Sequence, residues 1–276
     1  KPAPIKLESI DAQFEIACRV LNPSGETDEG CFTVVRCRSL ETETVCYFYS
    51  ICWIIINHLG DSPTRTALSS SVRRLASIFQ NVRKPPTRTL NGLFGELFVI
   101  LKSRSPIRSV EAWRIDQSSR FDFSVGDVRL EVKSCAGRVR KHSFSFDQCS
   151  PPENTHAAVA SLMIERISGG ISIQDILDLI EGQISGHQEL ILKIHETVAS
   201  SLGADLEQSL SVTFDQELAE SSLLFFDLHQ IPAIRGQIPP EVSNIHFDVD
   251  LSSLVPLSAE ELTNRNPYFW DLLPEE

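Results

Sequence analysis

The chain has 276 residues, of which 42% are apolar, and its formal net charge is −12. This length is sufficient for one large domain or two smaller ones. The longest apolar run, over residues 51–59, is too short to span a bilayer and is interrupted by Asn57 and His58. We therefore predict a buried helix there and no membrane-spanning segment.

The seven cysteines include no Cys-x-x-Cys pair, and no secretory signal opens the chain. An odd number of cysteines without such a signal favours reduced thiols, and the spacings match no structural zinc site. These features predict a cytoplasmic protein.

The charged residues are unevenly distributed along the chain. Residues 1–142 contain 21 Lys or Arg and 15 acids, whereas residues 143–276 contain 4 Lys or Arg and 22 acids. Nine basic residues and a single acid, Glu96, lie within residues 65–108. A second basic patch consists of Arg138, Arg140, Lys141 and His142. Such asymmetry is typical of a phosphate-binding face, although solvated helix faces also produce runs of like charge.

Residues 1–60 are predicted to be rich in β-strands, because apolar and polar residues alternate over 31–35 and 44–49, before the apolar helix. A basic helix is expected over 68–82, and the prolines of Lys84-Pro85-Pro86 end it. We place a soft boundary at these prolines.

The next helix is predicted over 89–103, where large apolar residues recur at helical spacing. Glu96 lies among these residues, and Gly92 and Gly95 beside it allow close approach by another backbone. A short strand is expected to follow over 111–115.

The rest of the chain is predicted to continue with strands and helices. Ser172 and Asp175 have the spacing of a capping box at the start of a helix. Further strands are expected over 143–146, 157–164, 223–228 and 245–251, and a second helix over 188–201.

Residues 121–133 are predicted to form a β-hairpin, because two alternating segments flank Gly126-Asp127, a two-residue turn with a leading glycine. With this turn, Val125 faces Val128 across the strand pair. The apolar residues expected to share the core face are Phe121, Phe123, Val125, Val128, Leu130 and Val132.

The other face of the hairpin is predicted to carry polar and charged side chains. Its residues are Asp122, Ser124, Arg129, Glu131 and Lys133. Counting back from the turn places Asp122 opposite Glu131, and two carboxylates in that position repel each other unless a cation lies between them. A divalent metal with oxygen ligands would remove the repulsion, so the hairpin predicts a metal site with Lys133 beside it.

Glu96 on a helix, Asp122 on a strand and Glu131-Val132-Lys133 on the next strand resemble the motif of the PD-(D/E)xK nucleases. Further similarity to one bacterial branch lies in residues 92–97, Trp113, 121–123 and 143–148. That branch is a DUF4420-like family of unknown function found beside restriction–modification genes. Phe121 stands where the name of the motif has proline.

The resemblance implies an α/β (α+β) fold with a restriction-endonuclease-like core, in which helices flank a central mixed β-sheet. We accordingly expect an N-terminal β-rich and helical segment (1–84), the nuclease core (85–165) and an acidic α/β extension packed on the core (166–276).

The resemblance also implies a metal-dependent DNA endonuclease that acts in bacterial restriction or phage defence. Mg²⁺, or Mn²⁺ in its place, would be held by Asp122, Glu131 and the Val132 carbonyl, with Glu96 reaching it through water or holding a second ion. Lys133 would orient the attacking water and stabilise developing negative charge. The residues expected to contact DNA are Arg138, Arg140, Lys141, His142 and Gln148.

The genetic setting of the family implies a separate ATPase/helicase-like or methyltransferase partner. A double-strand break made by one such site per chain would require a homodimer. The alternative to a nuclease is a catalytically silent subunit that keeps the fold and binds DNA or a partner. A hydrolase of small phosphate esters is a third interpretation, which the two basic patches disfavour. Glu96 could also be a buried acid paired with a nearby arginine, and His142 an ordinary strand-edge residue.

Overall fold

The computed structural model describes residues 2–115, 119–152, 154–234, 236, 238–239 and 241–275. Its contacts divide the chain into two compact units. The N-terminal unit extends to Thr87 and includes Gly186–Glu207, and the C-terminal unit comprises Arg88–Ser185 and Gln208–Glu276. The three segments expected from composition stay a prediction.

The strands are β1 (Ile5–Lys6), β2 (Ile10–Leu21), β3 (Thr27–Cys37), β4 (Phe123–Val125), β5 (Val128–Cys135), β6 (Lys141–Ser145), β7 (His156–Met163), β8 (Arg166–Ser172), β9 (Thr213–Phe214), β10 (Leu224–Asp227) and β11 (His246–Asp250). The helices are α1 (Thr42–Leu59), α2 (Arg65–Asn81), α3 (Leu90–Lys102), α4 (Pro106–Ala112), α5 (Ile173–Gln183), α6 (Gln188–Leu202), α7 (Leu206–Leu210), α8 (Gln216–Ser221), α9 (Ala259–Arg265) and α10 (Phe269–Leu272). None of the helices in these described ranges is long and apolar enough to cross a membrane.

The N-terminal unit combines a three-stranded antiparallel sheet, in the order β1-β2-β3, with α1, α2 and α6. The predicted strands early in the chain and the basic helix are confirmed. The strand expected over 44–49 is wrong, because these residues lie within α1. Tyr47, Phe48, Ile51 and Ile55 are all buried there, and this helical spacing outweighs the local β-propensity.

The C-terminal unit contains a mixed sheet in the order β10-β7-β5-β4. Strand β5 pairs in parallel with β7, whereas its pairing with β4 and that of β7 with β10 are antiparallel. The predicted fold class, a mixed sheet flanked by helices, is confirmed. A separate ribbon of β6 and β11 contributes Phe144 and Val249 to a hydrophobic cluster that also contains Val159 of β7.

Helix α3 confirms the helix predicted over 89–103, and it packs against β5 and β7 through Gly95. The Thr89 side chain caps α3 by accepting a hydrogen bond from the Gly92 N–H. A Cβ at Gly95 would lie 3.3 Å from the side chains of Leu162 and Val132. The small residue at position 95 therefore allows the close approach to the sheet that the sequence predicted.

The predicted hairpin is confirmed with its register over residues 123–130, whereas the predicted pairing of Asp122 with Glu131 lies beyond the paired residues. Val125 pairs with Val128, and Phe123 pairs with Leu130, with Gly126 at φ 52° in the turn. Phe121 is an exception to the predicted faces, because it belongs to the cluster of Phe144 and Val159. Strand pairing begins at residue 123, so the alternation of faces does not extend back to Phe121.

The strand expected over 111–115 is wrong. Residues 106–112 form α4, and only Trp113 makes an isolated bridge, to Phe123. The later elements are confirmed: Ser172 and Asp175 form the capping box of α5, and β6, β7, β10, β11 and α6 lie at the predicted positions.

Candidate active site

Glu96 lies in the middle of α3 and is 2% exposed. Its Oε2 accepts hydrogen bonds from Trp113 Nε1 at 2.8 Å and from Arg114 Nε at 2.7 Å. Arg114 Nη2 donates to its Oε1. Both carboxylate oxygens of Glu96 are therefore bound by groups of the segment that follows α4.

Asp122 is brought beside Glu96 by backbone pairing. The Trp113–Phe123 bridge and a hydrogen bond from the Arg114 N–H to the Asp122 carbonyl, 2.8 Å, align the two short segments. Asp122 is 3% exposed, and its Oδ2 accepts a hydrogen bond of 2.9 Å from the Val132 N–H. This bond ties the Asp122 side chain to the strand that contains Glu131.

Glu131 and Lys133 lie next to each other on β5, as the predicted alternation requires. Lys133 Nζ is 2.8 Å from Glu131 Oε1, and Gln148 Nε2 donates to the same oxygen at 2.7 Å. Gln148 Oε1 lies 3.4 Å from Lys133 Nζ and accepts from the Ser145 N–H. Gln148, predicted as a DNA contact, thus has its amide group engaged in positioning Glu131 and Lys133.

The site concentrates negative charge in a buried position. Burial raises the pKa of Glu131, and the charge of Asp122 raises it further, while Lys133 acts in the opposite direction. Burial and Asp122 also raise the pKa of Glu96, against the influence of Arg114 and Arg88. Additional positive charge close to Asp122 and Glu131 would relieve this repulsion.

One carboxylate oxygen of the site is available to a divalent ion. Glu131 Oε2 is buried and has no hydrogen-bond partner in the described part of the chain. A buried carboxylate oxygen without a partner is costly unless a cation or water meets it. Within the same described ranges, no group of three or more His, Cys, Asp or Glu is placed to hold a metal.

These donors fit an ion that keeps much of its hydration shell. Mg²⁺ is commonly bound through one or two carboxylates and several waters, so a large protein cage is not required. Asp122 and Glu131 would hold it, with the Val132 carbonyl as the predicted third oxygen. The ion would offset the charge of the two carboxylates.

Two arginines of the site were not assigned from the sequence. Arg88 Nη1 lies 3.4 Å from Asp122 Oδ1, and Arg114 Nη2 lies 3.3 Å from the same oxygen. Arg88 was counted only as part of a basic segment. No local sequence pattern indicates Arg114, because its position beside Asp122 depends on the backbone bridge between Trp113 and Phe123.

The predicted DNA contacts differ in exposure. Arg138 and Lys141 are exposed, with Arg138 Nη2 paired to Glu165 at 2.9 Å. The role of these two in DNA binding stays a prediction. The side chains of Arg140 and His142 are buried and occupied inside the protein, which argues against a DNA contact, so their predicted role is not carried into the proposed function.

Arg140 Nη1 donates to the backbone carbonyl and hydroxyl of Ser161, at 2.7 and 2.9 Å, and its Nη2 donates to the Ser222 carbonyl. His142 Nε2 lies 2.8 Å from the same Ser161 hydroxyl. Residues 142 and 144 of β6 and residue 140 just before it are buried, whereas Lys141 is exposed. The strand predicted over 143–146 begins after residues 140–142, so its alternation did not separate them.

His142 is expected to make the protein less stable in mild acid. Burial lowers the pKa of His142 to about 4, with Lys133 and Arg140 adding to this effect and Asp250 opposing it. The unfolded histidine titrates near pH ~6.5, so the stabilisation is complete above that pH and is lost as the pH falls towards 4. Between pH 7 and pH 5 we expect a loss of about 2 kcal/mol in the free energy of unfolding.

Urea denaturation of wild type and His142→Gln at both pH values measures this effect. The glutamine amide can replace the contact of His142 Nε2 with Ser161, but it has no proton to gain in this range. On acidification from pH 7 to pH 5, the free energy of unfolding of the variant should therefore fall by about 2 kcal/mol less than that of wild type. Equal losses in the two proteins would show that other groups cause the acid sensitivity.

Comparison with known families gives a match. Residues 3–252 match a family model described as "Putative PD-(D/E)XK family member, (DUF4420)". The match covers most of the chain, so the protein belongs to this family, and the resemblance stated from its motifs is confirmed. Neither the curated proteins nor the solved structures contain a significant match. Membership of a PD-(D/E)XK family is consistent with a nuclease.

Proposed function

We propose that the protein is a metal-dependent DNA endonuclease that acts in bacterial restriction or phage defence. The observation that carries the proposal is the convergence of the buried carboxylates of Asp122 and Glu131 with the partly buried Lys133, with the Oε2 atom of Glu131 lacking a partner among the described residues. These residues are the acidic and basic members of the motif that defines the family.

Hydrolysis of a phosphodiester requires attack of a water oxygen on phosphorus and departure of a sugar oxygen, which takes up a proton. When bound, a divalent ion supplies Lewis-acid activation and offsets charge on the phosphate oxygens. Asp122 and Glu131 would hold that ion. Lys133, kept in place by Glu131 and Gln148, would orient the water and stabilise negative charge that develops during attack.

The DNA substrate is proposed from the exposed basic residues that follow β5 in the chain, Arg138 and Lys141. A separate ATPase or methyltransferase partner is proposed only from the genetic setting that the resemblance implies. The alternative, a silent subunit, draws support from the closure of the site. Asp122 and Glu131 are 3% and 4% exposed, and Arg88 and Arg114 neutralise part of the charge of Asp122.

Incubation of supercoiled plasmid with the purified protein tests the proposal. Nicked or linear DNA should appear with Mg²⁺ or Mn²⁺ and not with EDTA, and Asp122→Asn should abolish it. Asp178→Asn, which alters an exposed acid on α5, should cleave like wild type. Binding of DNA and Mn²⁺ without cleavage would favour the silent subunit, and cleavage that survives in Asp122→Asn would refute the assigned centre.

A further inference from the structure

Two guanidinium groups lie between the carboxylates of Glu96 and Asp122. Asp122 Oδ1 is 3.3 Å from Arg114 Nη2 and 3.4 Å from Arg88 Nη1. Arg88 Nη1 is also 3.5 Å from Glu96 Oε1. The protein itself therefore places two cations against the carboxylate that the motif assigns to the metal.

Arg114 is fixed in this position by its side chain and its backbone. It binds both oxygens of Glu96, and its side chain is 12% exposed. Its φ of 42° lies in the left-handed region, which is sparsely populated by residues other than glycine. Such a conformation persists only where the surroundings enforce it, and here the N–H of Arg114 is bound to the Asp122 carbonyl.

Glu96 is occupied mainly by Trp113 and Arg114. Its Oε2 already accepts two hydrogen bonds, and its Oε1 contacts both arginines. Glu131 differs, because its buried Oε2 has no partner in the part of the chain that the structure covers. The distribution of partners directs a metal ion towards Asp122 and Glu131, and leaves Glu96 to hold Arg114.

Arg88 is held more loosely than Arg114. It directly precedes the N-cap of α3, its side chain is 37% exposed, and its contacts of 3.4 and 3.5 Å are at the long limit for hydrogen bonds. An ion bound to Asp122 would repel a guanidinium at the same oxygen. Arg88 is the arginine that can turn away, and its planar group suits a phosphate.

We propose that Arg88 binds the scissile phosphate and gives up its place at Asp122 to the metal ion, while Arg114 stays fixed by Glu96. This inference rests on the proposed nuclease function. In this arrangement Glu96 is a positioning residue for Arg114, and one metal ion is held by Asp122 and Glu131.

The proposal requires Arg88→Ala to change metal binding and DNA binding in opposite directions. Calorimetric titration with Mn²⁺ should give one ion per chain in wild type and about three- to tenfold tighter binding in the variant, because a competing charge is removed. Binding of a short DNA duplex in Ca²⁺ should weaken about tenfold, and its salt dependence should fall by about one phosphate contact. Arg88→Lys should restore part of the duplex affinity.

Arg108→Ala is the matched control, because Arg108 is an exposed arginine of the same unit that pairs with Glu111 at 2.9 Å. It should leave both affinities unchanged. Weaker or unchanged Mn²⁺ binding in Arg88→Ala, or unchanged duplex affinity, would overturn the proposal, as would two ions per wild-type chain. A wild-type chain that binds no Mn²⁺ would instead remove the proposed function itself.

Discussion

Replacement of Lys133 by methionine is expected to lower the rate of metal-dependent DNA cleavage by about a thousandfold while Mn²⁺ binding is retained. Methionine keeps most of the length of the side chain and its contact with the Phe144 ring, over which Lys133 Nζ lies at 5.1 Å. It removes the ammonium group that faces Glu131 and Gln148.

The physical reason is that Lys133 serves the transition state and does not hold the ion. A preorganised cation at developing negative charge typically contributes a factor of about 10² to 10³ in rate. Removing a positive charge beside Glu131 cannot weaken the attraction of that carboxylate for a second cation, so metal affinity should be equal or higher. A change of rate without a loss of metal binding would therefore identify a catalytic role.

Plasmid cleavage and Mn²⁺ calorimetry on the same preparations measure the two quantities. Lys102→Met is the control, because Lys102 lies on α3 in the same unit and pairs with Glu220 at 2.6 Å. It should cleave at the wild-type rate. If Lys133→Met lost Mn²⁺ binding together with cleavage, Lys133 would be needed to build the metal site, and the assigned role would be wrong.

The hairpin at the centre of the site could be predicted because its signals are local. Gly126 in the turn fixes the register, and the alternation of faces then places Glu131 and Lys133 together. Helix α3 was equally accessible, since its apolar residues recur at helical spacing and Thr89 caps its start. Local patterns therefore placed Glu96, Glu131 and Lys133 in the correct helix or strand, whereas Asp122 lies just before β4.

The features that the sequence did not predict depend on contacts between distant segments of the chain. The partners of Glu96 are Trp113 and Arg114, whose position follows from one backbone bridge to Phe123 that no local pattern encodes. The segment over 44–49 has strand-forming residues, yet its burial within the N-terminal unit selects a helix. Charge alone also failed to separate a buried arginine, Arg140, from exposed ones.

Replacement of Arg140 by methionine is expected to lower the free energy of unfolding by about 3 kcal/mol. The change removes a buried guanidinium that donates to Ser161 and Ser222 and leaves their carbonyls without this donor. Burial of the aliphatic part is conserved, so the loss reports mainly on hydrogen bonds. Urea denaturation of the whole chain, monitored by hydrogen exchange of the β7 amides, measures this change in the free energy of unfolding.

Arg138→Met provides the comparison two residues away. Arg138 is exposed, and its pair with Glu165 is solvated, so its loss should change stability by less than about 0.5 kcal/mol. Its removal should instead weaken binding to a short DNA duplex and reduce the salt dependence by about one contact. Basic residues close together in sequence would then divide between folding and DNA binding according to whether their side chains are buried or exposed. The reverse result, with Arg140→Met stable but defective in DNA binding, would restore the role that charge alone predicted for Arg140 and contradict the burial argument.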